Sequence, residues 1–139
     1  METDEQIKSA YRVYVDENGF LHVTFLREMP VPEDNVHLAQ AVEQSVLDIL
    51  YADPQKKYNI LVDLLPLGKS GKITSKSRKV YARILAHPQA ERFAFLGENI
   101  FLKVIVNFLT SAAGVDKKMA WFSAEAEGVS WLKNSQADN

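Results

Sequence analysis

The chain has 139 residues, of which 47% are hydrophobic and 24% are charged. This composition is typical of a globular protein and excludes an intrinsically disordered one. The absence of cysteine excludes disulfides, thiolate catalysis and cysteine-based zinc sites. A cytoplasmic location is expected, because a chain without cysteine fits a reducing compartment. The N-terminus is acidic, unlike a signal peptide, and no apolar run approaches the ~18 residues of a membrane span. We expect a single domain over residues 1–139, with an ordered core at about 11–133.

The first predicted element is a β-hairpin. Residues 11–15 and 20–25 alternate apolar and polar side chains, as strands with one buried face do. Between them, Asn18-Gly19 is a dipeptide that favours a tight turn with positive φ at both positions. The pattern therefore predicts two antiparallel strands joined by such a turn.

Helices and strands alternate after the hairpin. Apolar residues at three- and four-residue spacing predict helices, and short apolar runs predict strands. The predicted elements are a helix at 36–51 capped by Asn35 or Asp34, a strand at 58–65, a helix at 74–87 capped by Thr74, a strand at 92–96, a helix at 99–113 capped by Asn99, a strand at 118–122 and a helix from Ser123 to 133. This order predicts an α/β fold with a largely parallel five-stranded sheet, an antiparallel edge hairpin and four flanking helices.

Several stretches resemble those of small bacterial STAS-like proteins, which are relatives of the anti-sigma-factor antagonists. They are Asn-Ile-Leu-Val-Asp-Leu-Leu at 59–65, Lys-Ile-Thr-Ser-Lys-Ser-Arg-Lys-Val-Tyr-Ala at 72–82, the strand-to-helix stretch at 93–109, and Trp-Phe-Ser-Ala-Glu-Ala-Glu-Gly-Val-Ser-Trp-Leu at 121–132. The resemblance implies a STAS-like mixed sheet over roughly residues 11–133. The proteins that it resembles form a subgroup without an assigned activity.

The phosphorylation motif of the signalling antagonists is missing. Those proteins carry Asp-Ser-Ser-Gly at the start of the helix that follows the strand ending near Asp63, and its serine accepts a phosphate. Here residues 68–77 read Gly-Lys-Ser-Gly-Lys-Ile-Thr-Ser-Lys-Ser, with Thr74 and Ser75 nearest in register. The resemblance therefore implies a partner-binding module without this phosphorylation switch.

Residues 64–90 form a basic segment with six bases and no acid, in a chain whose net charge is -2. The helix predicted to begin at Thr74 offers free amides and a positive dipole end to an anion. We predict that the segment binds an anionic protein partner through Lys69, Lys72, Thr74, Ser75, Lys76, Arg78 and Lys79. The alternative is a solvated helix face. Nucleic acid is not expected, because aromatic residues do not alternate with the bases.

No catalytic residue, metal or cofactor is expected. His22, His37 and His87 share no metal-binding spacing, and the sequence has no nucleophile-elbow motif. The glycines of the loop at 68–74 are too close together for a phosphate-binding loop. Asp63, at the end of a predicted strand, is more typical of an acceptor for loop amides than of a catalytic acid.

The helix predicted at 99–113 is apolar almost all round. One stripe contains Ile100, Phe101, Val104, Ile105, Phe108 and Ala112, and a second contains Leu102, Val106, Leu109 and Ala113. The second stripe needs a cover. This cover could be another helix of the same domain, a second copy of the chain, or an apolar ligand. Leu102, Val106 and Leu109 are therefore the candidate face for a homodimer or an apolar ligand.

Two functions follow as expectations. The first is a non-catalytic regulatory or interaction module that binds an anionic partner through the loop and basic helix at 66–83. The alternative is a carrier that holds an apolar or acyl small molecule under the helix at 99–113.

Overall fold

The computed structural model has a five-stranded sheet with helices on both faces. It describes the backbone of residues 1–137 and the side chains of residues 1–135. The strands are β1 (Tyr11–Val15), β2 (Leu21–Phe25), β3 (Tyr58–Asp63), β4 (Ala90–Leu96) and β5 (Met119–Phe122). The helices are α1 (Asp4–Lys8), α2 (Pro32–Ala52), α3 (Ser75–Leu85), α4 (Ile100–Ala112) and α5 (Glu125–Ala137), with single 3₁₀ turns at Leu65–Leu67 and Asp116–Lys118.

The strands lie across the sheet in chain order, β1-β2-β3-β4-β5. β1 pairs antiparallel with β2, and Val13 lies opposite Val23. The other neighbours are parallel. The predicted α/β class, with a largely parallel five-stranded sheet, an edge hairpin and four long flanking helices, is confirmed. β3 occupies the centre, as expected for an apolar run covered on both faces.

Three helices cover one face of the sheet and α5 covers the other. Successive strand residues point to opposite faces. Ile60 and Phe93 accordingly belong to the larger core beneath α2, α3 and α4, whereas Leu61 and Ala94 pack with Leu132 of α5. α3 contacts both α2 and α4, so it lies between them.

The hairpin turn differs from the predicted one. Gly19 has a φ of 82°, but Asn18 does not share the positive φ expected for a two-residue turn. The Asp16 carboxylate accepts hydrogen bonds from the amides of Asn18 at 2.8 Å and Phe20 at 3.0 Å. The acidic side chain thus organises a longer loop, in which only the glycine adopts the left-handed conformation.

The predicted N-cap of α2 is wrong. The helix begins at Pro32 and has no side-chain cap, because its N-cap residue, Val31, has no side-chain hydrogen-bond acceptor. Asn35 and Asp34 lie inside its first turn and are buried. The caps predicted at Thr74 and Asn99 are confirmed. α5 begins at Glu125, one residue later than a cap at Ser123 predicts.

Helical structure extends beyond the predicted core at both ends. A capping box between Thr3 and Gln6 caps the N-terminus of α1, and Ile7 of this helix is buried in the larger core. α5 continues to Ala137, and residues 138 and 139 of the predicted domain lie outside the described residues.

The carboxyl ends of β2, β3 and β4 lie at one edge of the sheet because these strands are parallel. The segments at 26–31, 64–74 and 97–99 follow them and lead into the first turns of α2, α3 and α4. Ligands of open α/β sheets commonly bind at this edge.

Candidate functional site

A cavity of about 100 Å³ lies between the sheet and helices α2, α3 and α4, and the free space reaches about 930 Å³ when its open approach to solvent is included. Its walls are almost entirely apolar. The main wall residues are Val23, Phe25, Leu38, Val42, Ile60, Val62, Phe93, Phe95, Leu102, Val106 and Leu109. The strand residues alternate along β2, β3 and β4, as one face of a sheet requires.

The inner wall on α4 consists of Leu102, Val106 and Leu109, the residues predicted to form a dimer or apolar-ligand face. They are 2%, 5% and 7% exposed. Such burial leaves no surface for a second copy to contact, so a dimer face at these three residues is wrong. The structure places them against the cavity.

The loop at 66–73 borders the cavity, and its Lys72 is the exposed residue of the lining, so the mouth of the cavity lies at this loop. Leu67, Gly71, Lys72 and Ile73 contribute to the lining from this loop. Gly71 has a φ of +115°, and a Cβ atom there would lie 3.2 Å from Leu102 Cδ1 and 3.3 Å from Leu67 Cδ1. Both the backbone conformation and the close approach to α4 therefore favour glycine.

Asn35 ties this loop to the first turns of α2 and α3. Its Nδ2 donates to the Met29 carbonyl at 3.1 Å and to the Lys72 carbonyl at 2.8 Å. Its Oδ1 accepts from the Ser77 hydroxyl at 2.6 Å and from the Thr74 amide at 3.3 Å. The amide is buried and fully used. Helix-start signals alone assigned it to capping and missed this role.

Asn99 holds the other side of the loop. Its Nδ2 donates to the Ser70 carbonyl at 3.0 Å and to the Lys69 carbonyl at 3.3 Å. Its Oδ1 accepts from the amides of Phe101 and Leu102 and so caps α4. One side chain therefore fixes both the start of α4 and the segment that carries Lys69.

Polar groups along the cavity are few. Arg27, Glu28 and Lys72 are its charged lining residues. Arg27 Nη2 donates to the Gln6 carbonyl at 2.8 Å, so its guanidinium is turned toward α1. Tyr81 also lines the cavity, its ring edge-on to Phe25 with 5.7 Å between centroids. Burial raises the pKa of Tyr81, so its hydroxyl stays protonated at neutral pH.

The predicted partner-binding residues divide into two groups. Lys69, Lys72, Ser75, Lys76 and Lys79 are exposed, whereas Thr74 and Arg78 are partly buried. The Thr74 hydroxyl accepts from the Ser77 amide at 3.1 Å and donates to the Ser77 hydroxyl at 2.9 Å, so it is occupied by capping.

The basic segment makes one ion pair within residues 1–137. Arg83 contacts both carboxylate oxygens of Glu43 at 2.8 Å. The other five bases of the segment form no ion pair in this described part of the chain. Their charge is therefore not neutralised by neighbouring acids.

His22, one of the three histidines, is buried on the α5 face of the sheet. Its Nε2 lies 2.6 Å from Asp16 Oδ2, and its ring stacks on Tyr14 with 4.7 Å between centroids. Burial acts to raise the pKa of Asp16, but hydrogen bonds from His22 and from the amides of Phe20 and Asn18 outweigh it and lower the pKa. The pair closes the hairpin and lies away from the cavity.

The outer face of α4 is apolar and exposed. Ile100, Phe101, Val104 and Phe108 are 75%, 81%, 61% and 68% exposed. They belong to the first stripe of the predicted helix, which therefore points to solvent while the second stripe points inward.

Neither protein-family models nor curated protein sequences give a match to this chain. Within residues 1–137, no helix combines the length and apolar character needed to cross a bilayer. Among the same residues, no group of three or more His, Asp and Glu side chains could hold a metal ion. Inferences about function accordingly rest on the cavity and on the surfaces beside it.

Proposed function

We propose that the protein binds a slender apolar molecule, such as an acyl chain, in the cavity between the sheet and α4, without catalysing a reaction. The observation that carries this proposal is the apolar lining, to which three helices and three strands contribute. Ligand sites are typically apolar cavities with few polar groups. A cavity of about 100 Å³ is of the order of one that takes a benzene-sized guest, which favours a narrow chain over a bulky ring system.

The polar end of the ligand is proposed to be acidic. Lys72 is the base available to a ligand there, because Arg27, the other basic lining residue, is turned toward α1 and pairs with Glu2 at 3.3 Å. Lys72 is exposed and belongs to a segment of 27 residues, 64–90, that contains no acid. A carboxylate or phosphate at the mouth would therefore meet a net positive field while its chain stays in the apolar interior.

The test is a binding titration with cis-parinaric acid, a fluorescent straight-chain fatty acid without a ring. Val106→Phe places extra volume in the cavity, and Val104→Phe makes the same change on the exposed side of the same helix. We expect Val106→Phe to weaken probe binding by at least about tenfold, because the lost space excludes the chain, and Val104→Phe to leave it unchanged. Failure of the wild type to bind the probe, or equal binding by Val106→Phe, would contradict the proposal.

A second candidate function is binding of an anionic partner through the loop and basic helix at 66–83. It is supported by the exposure of Lys69, Lys72, Lys76 and Lys79, which form no ion pair within the described residues. Exposed charges of this kind mainly set association rate and specificity. Replacing Lys72, Lys76 and Lys79 together by glutamine should then weaken capture of that partner by roughly tenfold, with folding unchanged. Equal capture by the wild type and the triple variant would exclude this candidate.

We also propose that the chain is related to STAS-like proteins. The support for this relationship is the order of elements, with an N-terminal hairpin followed by alternating helices and parallel strands. A bacterial source follows from that relationship. A cytoplasmic location is proposed from the lack of cysteine.

A further inference from the structure

The exposed side of α4 is an apolar surface, which we call the α4 outer face and define as Ile100, Phe101, Val104 and Phe108. All four side chains are more than half exposed, and Phe101 reaches 81%. Large exposed aromatic residues grouped on one helix face mark an interaction surface more often than isolated ones do. The opposite side of the helix already fills the core, so this surface is available to an external partner.

Basic side chains lie beside the α4 outer face. Between Asn99 and Val115 the chain contains one charged residue, Lys103. The hydrogen bonds from Asn99 to the carbonyls of Lys69 and Ser70 hold the basic loop beside the first turn of α4. Glu98, just before α4, and Asp116, just after it, are the neighbouring acids in sequence.

We propose that the α4 outer face and the loop at 66–73 dock on an anionic lipid bilayer. Apolar side chains on a helix that lies in the interface, with lysines at its border, are the two signals that together retain a protein on such a surface. Phe101 and Phe108 would enter the interfacial region, and Lys69, Lys72 and Lys103 would meet the lipid phosphates. Docking itself rests on these surface residues alone.

The position of the cavity suggests what docking on a bilayer would achieve. Gly71, Lys72 and Ile73 of the same loop line the cavity mouth. A bilayer that contacts the loop would therefore lie next to the opening, where an acyl chain could pass between membrane and cavity. This second step rests on the proposed function, whereas the docking does not.

A second copy of the chain fits the same face less well. A two-fold interface places the same patch on both sides. Each copy would then bring the same lysine-bearing border, with Lys69 and Lys103, to the interface, where Glu98 and Asp116 are the nearby acids in sequence. Phosphate groups supply the opposite charge that a second copy lacks.

The test is co-sedimentation of the full chain with vesicles of phosphatidylcholine, with and without about a third phosphatidylglycerol. The wild type should bind the anionic vesicles at least about tenfold more tightly than the neutral ones, and added salt should weaken this binding. The double variant Phe101→Ser/Phe108→Ser should bind anionic vesicles at least about tenfold more weakly. Tyr51→Ser is the matched control, since Tyr51 is 61% exposed on α2, and it should bind like the wild type.

Three results would overturn the docking proposal. One is failure of the wild type to sediment with anionic vesicles, and another is equal sedimentation of the double variant. The third is a wild-type dimer in sedimentation velocity that the double variant abolishes, without any vesicle binding, which would assign the face to a second copy. Binding of cis-parinaric acid without vesicles separates the two proposals, because the double variant leaves the cavity lining intact. Failure of the wild type to bind the probe would contradict the cavity proposal and would not affect the docking proposal.

Discussion

The Ser77 hydroxyl donates a hydrogen bond of 2.6 Å to Asn35 Oδ1, although the two residues are 42 positions apart in the chain. This bond joins the first turn of α3 to the first turn of α2. The same Asn35 side chain also holds the Lys72 and Met29 carbonyls. The mouth of the cavity is therefore built around one buried amide.

Asn35→Ala should destabilise the protein strongly. The change removes four hydrogen bonds and leaves the Ser77 hydroxyl and the Lys72 carbonyl without this partner, which should cost about 2–4 kcal/mol of unfolding free energy. Urea unfolding measures the loss, and trypsin cleavage after Lys69 and Lys72 should become faster. Ser77→Ala removes two hydrogen bonds, of which one is to Asn35 and one is from the Thr74 hydroxyl, so a loss as large as that of Asn35→Ala would contradict the central role of the amide.

Gly71→Ala should affect both stability and binding. Its φ of +115° strains any side chain, and the new Cβ would lie 3.2 Å from Leu102 Cδ1. We expect a loss of about 1–3 kcal/mol of unfolding free energy, together with weaker cis-parinaric acid binding, because Leu102 is pushed toward the cavity. Gly19→Ala is the control, since it has a φ of +82° but nothing within 4 Å of the added Cβ. Equal effects of the two changes on probe binding would show that the contact with Leu102 is unimportant.

The cavity itself can be tested by stability. Val106 lines the free space, whereas Val46 of α2 is fully buried in the same core and does not line it. Val46→Phe should lower the unfolding free energy by about 1–3 kcal/mol through overpacking, and Val106→Phe should cost clearly less. Chemical denaturation of both variants compares the two sites. A cost at Val106 equal to that at Val46 would mean that no usable space exists under α4.

The Asp16–His22 pair predicts a pH dependence. The pKa of Asp16 in the folded protein lies below its ordinary value of 3.8, so the carboxylate stabilises the fold above that pH. This contribution is lost as the pH falls through the lowered folded-state pKa. Asp16→Asn should therefore cost about 1 kcal/mol near pH 7, and its difference from the wild type should shrink as the pH falls below 3.8 and through the lowered folded-state pKa.

The control for this experiment is Glu17→Gln, a neighbouring exposed acid. Its unfolding free energy should follow that of the wild type across the same pH range. A difference between wild type and Asp16→Asn that stays constant from neutral to acidic pH would contradict a role for the ionised Asp16 carboxylate.

Local signals were sufficient for most of the secondary structure. Alternation along residues 11–15 and 20–25 predicted β1 and β2, and short-range spacing predicted α3 and α4 with their caps at Thr74 and Asn99. These features depend on neighbours within about four positions, which is the range over which backbone hydrogen bonding and side-chain periodicity act. The order of these elements then predicted the parallel sheet with an edge hairpin, because alternating strands and helices are joined by crossovers onto one sheet.

The functional surfaces depended on contacts between distant residues. Both stripes of α4 are apolar, so its periodicity could not show that Leu102, Val106 and Leu109 point inward while Phe101 and Phe108 point to solvent. That choice was made by the sheet and by α3, which cover one side of the helix. Asn35 likewise looked like a helix cap, because its partners at Lys72, Thr74 and Ser77 approach it only after α2 and α3 pack together. The cavity has no sequence signal of its own, since a void is set by how closely side chains from several elements meet.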